Sequence, residues 1–505
     1  MDKRKSLLNV SVSVSFKILT MIVVIFSRRL LIEKCGNEVN GLNALYLSII
    51  GILSVAELGV GSAISFCMYK PIVDGNHNQV SALYHLFRRI YTLIGMVVLA
   101  GGLLITPFIS HLAKDYVQLD ENLQLTFLLM LTAIVLTYFF GAKTALINAY
   151  KNNYITNAIS SCGTLIEYIL QIIVLITTQS FALFLVCKII SSVLQWVATD
   201  RIAQKKYSDI MLNYQRIDQS TRKQLTRSIR AMFMHKIGNL LVNSADSVII
   251  SFFIGVIVLG EYSNYTTILR TMTGVIDLVF ISLTSVFGHV YASQSKVTSK
   301  KYFEVFHLLN FIIGALFHLG YYAIIDNLIA ILFSPELVVR KSISFIIALN
   351  GFVQFMRQNT LIFRDATGAF YNDRWKPLIE GTMNVFLSVL LVNKMGVTGV
   401  IAATVATNLL VCHIVEPYVL YRHSFDVTPR KFFAKNYSMI ALFVVMLVTL
   451  DRVMVSNHNV WAELLANGFI SVGLTMLGCI VVFALNKEVC MFAMEEFGKK
   501  HRSEK

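Results

Sequence analysis

The sequence predicts an all-α membrane protein of about fourteen transmembrane helices with both termini in the cytoplasm. Three observations predict it. Hydrophobic residues fill 56% of the 505 positions and charged residues only 14%, against about 25% charged in soluble domains. The chain divides into fourteen apolar spans, most of them near the ~20 residues that cross the hydrocarbon core as a helix. The 44 Lys and Arg residues fall mainly on alternate turns, the asymmetry that marks cytoplasmic loops.

In order, the spans are 10–32, 42–68, 89–111, 122–144, 154–176, 181–204, 231–256, 263–290, 303–325, 341–363, 377–394, 397–421, 436–452 and 462–485. Lys3, Arg4 and Lys5 precede the first, as in a secretory leader, but no small-residue cleavage site follows. The run to Ile32 also holds Lys17, Arg28 and Arg29, so it reads as a retained span. The connector Arg201–Arg230 carries eight basic residues and separates two six-span halves. Span 377–394 is short, and dropping the final pair would leave twelve spans with the same sidedness. The resulting division is 1–205 for the N-terminal six-helix lobe, 206–230 for a basic cytoplasmic linker and 231–423 for the C-terminal six-helix lobe. Residues 424–485 hold two additional transmembrane helices, and 486–505 a cytoplasmic tail.

Each half begins and ends inside, which relates the halves by rotation about the membrane normal rather than by inversion. Gly36-Asn37-Glu38 and Leu259-Gly260-Glu261 occupy equivalent outer turns, a faint trace of a repeat. The outer connectors Thr177–Ser180 and Ile257–Tyr262 are barely turns, so polar chemistry belongs between the helices.

Several function classes are excluded. The net charge of +15 sits mostly in short loops, where it reports topology and attraction to anionic headgroups, so no nucleic-acid partner is expected. The seven cysteines are scattered without CxxC or metal-ligand spacing. No Walker A loop is present. No Ser/His/Asp or paired-carboxylate arrangement suggests catalysis, so neither an enzyme, a metal nor a cofactor is expected.

The informative residues are charges inside spans. An ionised side chain at mid-bilayer costs about 2.5–3.5 kcal/mol on insertion scales, so such groups face a wet cavity or a partner. They are Lys17, Arg28, Glu57, Glu167 and Lys188 in the first half, and Asp246, Arg270, Asp277 and Arg357 in the second. Lys17 and Arg28, eleven residues apart, share a helical stripe about 16 Å long that would suit an anion; the alternative for Arg28 and Arg29, near the outer end of the span, is snorkelling to the interface. Lys188 and Arg270 lie at similar depth, where lining a path and snorkelling to the interface are both open. Arg270 and Asp277 share a face and would also serve as a neutralised pair. Glu57, among small residues, and the mid-span carboxylates Glu167 and Asp246 have two roles open: salt bridges, or sites for a coupling ion, H+ or Na+. Glu380, Glu416, Asp200, Lys143 and Lys236 fall near inner span ends and read as interface residues.

Several stretches together resemble a known family. They are Arg28-Arg29-Leu30 with Gly36-Asn37-Glu38-Val39-Asn40-Gly41-Leu42, Glu57-Leu58-Gly59-Val60-Gly61 leading to Tyr69-Lys70-Pro71, and Asn243-Ser244-Ala245-Asp246-Ser247-Val248-Ile249-Ile250 followed by Gly260-Glu261-Tyr262-Ser263-Asn264-Tyr265. In this order they resemble the polysaccharide-export branch of the MOP superfamily, the Wzx-type oligosaccharide-lipid flippases. The resemblance implies a MATE-like, two-lobed V of 6+6 helices plus two C-terminal helices. It implies a bacterial cytoplasmic membrane and a polyprenyl-pyrophosphate-linked oligosaccharide substrate, turned over by alternating access for surface-polysaccharide biosynthesis. A polysaccharide polymerase or export machinery would be its partner. Lys17, Arg28, Lys188 and Arg270 would then line a cationic cavity for the pyrophosphate. Glu57, Glu167, Asp246 and Asp277 would couple an ion or form salt bridges. A small-molecule MATE antiporter and a flippase for the peptidoglycan precursor share the fold; the excess of basic side chains disfavours the former.

Overall fold

The structure, a computed structural model, describes residues 19–20, 22–54, 60–116, 122–214, 244–367, 372, 375–492 and 494–495. Among them every regular element is helical. Among the described residues, eight helices are long and apolar enough to cross a bilayer. Large hydrophobic side chains stud their outer surfaces, among them Leu104, Ile169, Phe386, Phe469 and Ile480. Apolar surface on that scale calls for lipid as its solvent, and the chain is a multi-pass membrane protein. Packing divides it into two compact units, Met1–Ser263 and Asn264–Lys505.

The first unit contains α1 (22–35), α2 (Asn37–Leu53), α3 (Val60–Val73), α4 (His77–Ile105), α5 (Ile109–Leu112), α6 (Leu123–Ala149), α7 (Asn153–Thr178), α8 (Phe181–Leu212) and α9 (Ser244–Phe253). Helix α10 (Val256–Ser293) starts here and continues into the second unit. Helix α6 packs on α4 and α8, and α7 packs on α8. Helix starts are set by short polar side chains that accept the first free backbone N–H groups. Asn76 caps α4, Asn122 caps α6 and Ser180 caps α8, each contributing about 1 kcal/mol.

One contact in this unit joins the two segments that share a sequence trace. A side-chain carbon on Gly41 would lie 1.9 Å from the Val256 carbonyl oxygen, and one on Gly260 2.4 Å from that of Asn37. The starts of α2 and α10 therefore meet backbone to backbone, an approach that small residues alone permit. The Asn37 amide donates to the Ile257 carbonyl at 3.0 Å across the same contact.

The second unit continues through α11 (Lys296–Leu332), α12 (Lys341–Met356), α13 (Gln358–Ala366), α14 (Lys376–Thr407), α15 (His413–Leu420), α16 (Arg430–Val453) and α17 (Val460–Leu485). Ser295 caps α11 and Asn459 caps α17. Within α14 the backbone at Gly396 turns to φ 58°, ψ −139°, a region glycine enters without penalty. A side chain on Gly399 would then lie 2.5 Å from the Leu391 carbonyl oxygen. So close an approach between residues eight apart needs the chain to fold back at 395–396, where the sequence places a turn between two spans. Five-residue π turns, Asn408–Cys412 and Tyr421–Phe425, flank α15.

The core of this unit is aromatic. Phe280, Phe287, Phe303, Phe355, Phe363, Tyr421, Phe425 and Phe432 form one buried cluster, while Phe352 and Phe443 stack at 3.6 Å. Helix α17 packs on α11 and α16. Asn467 holds the turn between α16 and α17 by bonding both the N–H and the C=O of Val455, at 2.9 and 3.1 Å. Both helices of the final pair thus exist, each long and apolar enough to span.

Candidate functional site

Among the described residues, each unit contains one polar assembly built on Arg, Lys and Glu side chains from several helices. In the first unit, α1 places Ser27 and Arg28 side by side. The Ser27 hydroxyl donates to the Gln171 side-chain oxygen at 3.4 Å, and the Gln171 amide donates to Glu167 at 3.4 Å. Glu167 in turn faces the Lys188 ammonium at 3.9 Å. Gln171 also bonds the Phe184 carbonyl at 3.4 Å, which fixes its position between α7 and α8. On the other side, the Arg28 guanidinium donates to the Ser263 hydroxyl. Asn40 joins that corner by donating to the Gly260 carbonyl at 3.2 Å and the Ser263 hydroxyl at 3.4 Å.

The result is a chain of polar groups from Lys188 through Glu167, Gln171 and Ser27 to Arg28, Ser263 and Asn40. It draws on α1, α2, α7, α8 and the start of α10. Lys188 and Glu167 keep 27% and 13% of their side-chain surface exposed, and Arg28 is half-buried. A guanidinium and an ammonium at such a place offer donors suited to phosphate oxygens.

The second assembly is sealed. Arg357 sits at the break between α12 and α13, where the Asn310 amide satisfies the released carbonyls of Phe355 and Met356 at 3.1 and 3.3 Å. Its guanidinium grips Glu416 with two bonds of 3.1 and 2.6 Å, reaches Glu380 at 3.3 Å, and donates to Asn408. Lys376 completes the group, 2.6 Å from Glu416 and 2.7 Å from Glu380. Glu416, Glu380 and Lys376 expose only 1–3% of their side chains. Two cations and two carboxylates neutralise one another.

Sequence reasoning places these residues unevenly. Arg28, Glu167 and Lys188 come together in one network. Lys188 does so as the partner of Glu167, so part of its charge is answered. Arg270 is exposed on α10 within the second unit and joins neither assembly. Asp246 is buried on α9. Lys17, Glu57 and Lys236 lie outside the described residues, as does the side chain of Asp277. The reading of Glu380 and Glu416 as interface residues is corrected: both are buried partners of Arg357. Lys143 and Asp200 form a salt bridge. The missed signal was the Lys376–Glu380 pair, one helical turn apart at the start of a span.

The sequence matches no family model and no curated protein. The fold, in contrast, matches solved transporters of the MOP superfamily. An inward-facing multidrug resistance MATE transporter superposes with a TM-score of 0.61 at 14% identity, covering 85% of this chain and 98% of its own. The lipid II flippase MurJ, in an inward closed conformation, gives 0.59 at 14% identity, covering 92% of this chain and 99% of its own. A MOP transporter from Pyrococcus furiosus, described as having a binding pocket of reversed polarity, gives 0.52 at 14% identity, covering 88% and 97%. At such identities the likeness establishes the fold, and the work of the fold is carried by its sites.

Proposed function

We propose that this chain is a flippase for a polyprenyl-pyrophosphate-linked oligosaccharide, moving it from the cytoplasmic to the outer leaflet of a bacterial cytoplasmic membrane by alternating access. The observation that carries the reading is the placement of two partly exposed cations, Arg28 and Lys188, in the polar network of the first unit. A pyrophosphate between a sugar and a lipid tail is the anion that a guanidinium and an ammonium suit. Lys17 and Arg270 belong to the same proposal as further cations on the substrate's path. Coupling to H+ or Na+ would fall to the carboxylates Glu57, Glu167, Asp246 or Asp277, of which Glu167 already touches a cation.

A second reading, a flippase for the peptidoglycan precursor, is favoured by one observation. The MurJ structure covers 92% of this chain, and the MATE transporter 85%. Both readings present a lipid pyrophosphate to the same groups. Deleting the gene from its host tests them together and against small-molecule export. Accumulation of a lipid-linked saccharide on the inner leaflet is expected, and its sugar composition separates surface-polymer units from the cell-wall precursor. Unchanged amount and sidedness of every such intermediate would overturn the proposal.

A further inference from the structure

Outside both assemblies, a recess of about 430 Å³ opens on the surface of the first unit, lined by His85, Arg88, Arg89, Thr92, Met96 and Tyr214, with Leu93 at its edge. Six of these residues belong to α4 at positions that fall on one helical stripe. Along that stripe the chemistry changes within two turns. Arg88 and Arg89 form the cationic part with the His85 ring beside them, Thr92 is the transition, and Leu93 and Met96 are exposed hydrophobics, at 62% and 56%. Seven residues from Arg89 to Met96 span about 10 Å, the scale on which a bilayer passes from headgroup to hydrocarbon.

The cationic end is built rather than incidental. Asn213, at the end of α8, docks on the start of α4: its carbonyl accepts from the Ser81 hydroxyl and its amide reaches Asn78 at 3.4 Å. That docking sets Tyr214 over the stripe. Its ring stands 5.3 Å from His85, edge to face, and 5.2 Å from the Arg89 guanidinium. Both arginines are exposed, and no ion pair with a carboxylate answers either among the described residues. The His85 Nε2 atom also has no hydrogen-bond partner there. The distribution of basic turns assigns this end of α4 to the cytoplasmic side, where anionic lipids attract cations.

We propose that this recess binds the phosphate of an anionic membrane phospholipid, with Arg88 and Arg89 on the headgroup and the acyl chains along Leu93 and Met96. The apolar lower wall selects a phosphate that arrives on a lipid over one free in solution. The site stands apart from the transported substrate, so its fate does not depend on the flippase reading.

The test titrates the purified full chain in detergent with phosphatidylglycerol and resolves the first bound lipid by native mass spectrometry. Arg88→Ala with Arg89→Ala is expected to weaken that lipid by roughly five-fold per arginine, while Lys205→Ala with Lys206→Ala, an equal charge change on exposed positions of α8, keeps it within about two-fold. An equal loss in the two double variants would overturn the proposal by showing generic surface attraction. Equal binding of phosphatidylcholine and phosphatidylglycerol by the wild type would overturn it as well. Displacement of the lipid by millimolar inorganic phosphate would do so by identifying a free-phosphate site.

Discussion

The two polar assemblies contain the same residue types and differ in how they are answered. In the second unit, Arg357 and Lys376 meet Glu380 and Glu416 one for one, and almost no side-chain surface remains in contact with solvent. In the first, Lys188 stands 3.9 Å from Glu167, and both keep part of their side-chain surface exposed. A neutral, dry cluster has its ligands already built in. A network with a looser ion pair and access has room for an external one. A charge inside a span is therefore a poor guide to function until its partners are known.

Breaking the dry cluster should give the largest effect. Arg357→Ala leaves Glu416 and Glu380 buried with only Lys376 to answer them, a change worth about 3–5 kcal/mol in comparable buried pairs. The expected outcome is a large fall in melting temperature in detergent, or loss of folded protein. An unchanged melting temperature would show that the cluster is not structural.

The glycine contact should come next. Gly41→Leu drives a side chain into the Val256 carbonyl, and overpacking of this kind costs about 1–3 kcal/mol. The same helix pair holds the Arg28–Ser263–Asn40 corner, so transport is expected to fall further than stability does. Thermal denaturation measured beside a transport assay separates the two, and wild-type values in both would remove the contact from the account.

The smallest effect belongs to a surface pair. Lys296 donates to Asp426, which sits in a left-handed turn before α16, and this holds the Asp426 carboxyl below its ordinary range. Its contribution is present above the ordinary carboxylate pKa and fades as pH falls through the lowered one. Asp426→Asn should leave stability at neutral pH unchanged within error, because both groups are fully exposed and screened. A clear loss at neutral pH would show that this turn matters more than its exposure suggests.

Much of the fold is legible in the sequence because a helix crossing lipid must be long and continuously apolar. The turn at 395–396 appears as a two-residue gap between spans, and the helices of the final pair stand where hydropathy puts them. The sealed cluster is legible only in part. Hydropathy alone leaves Glu380 and Glu416 near the inner ends of spans 377–394 and 397–421, where they read as interface residues. Helix α14 in fact begins at Lys376, and the π turn after α15 continues the later helix past Glu416 to Phe425, which carries that residue inward. The Lys188–Glu167 pair was hidden for another reason: nothing in a single sequence tells which faces of α7 and α8 meet.

The most direct measurement follows a labelled polyprenyl-pyrophosphate saccharide across liposomes holding either the wild-type chain or Arg28→Gln. With both proteins equally folded, the substitution is expected to slow transbilayer movement by roughly ten-fold or more, the loss of a charge-assisted hydrogen bond worth about 1.5–3 kcal/mol. Movement at the wild-type rate would contradict the claim that the first unit's cations hold the phosphorylated substrate.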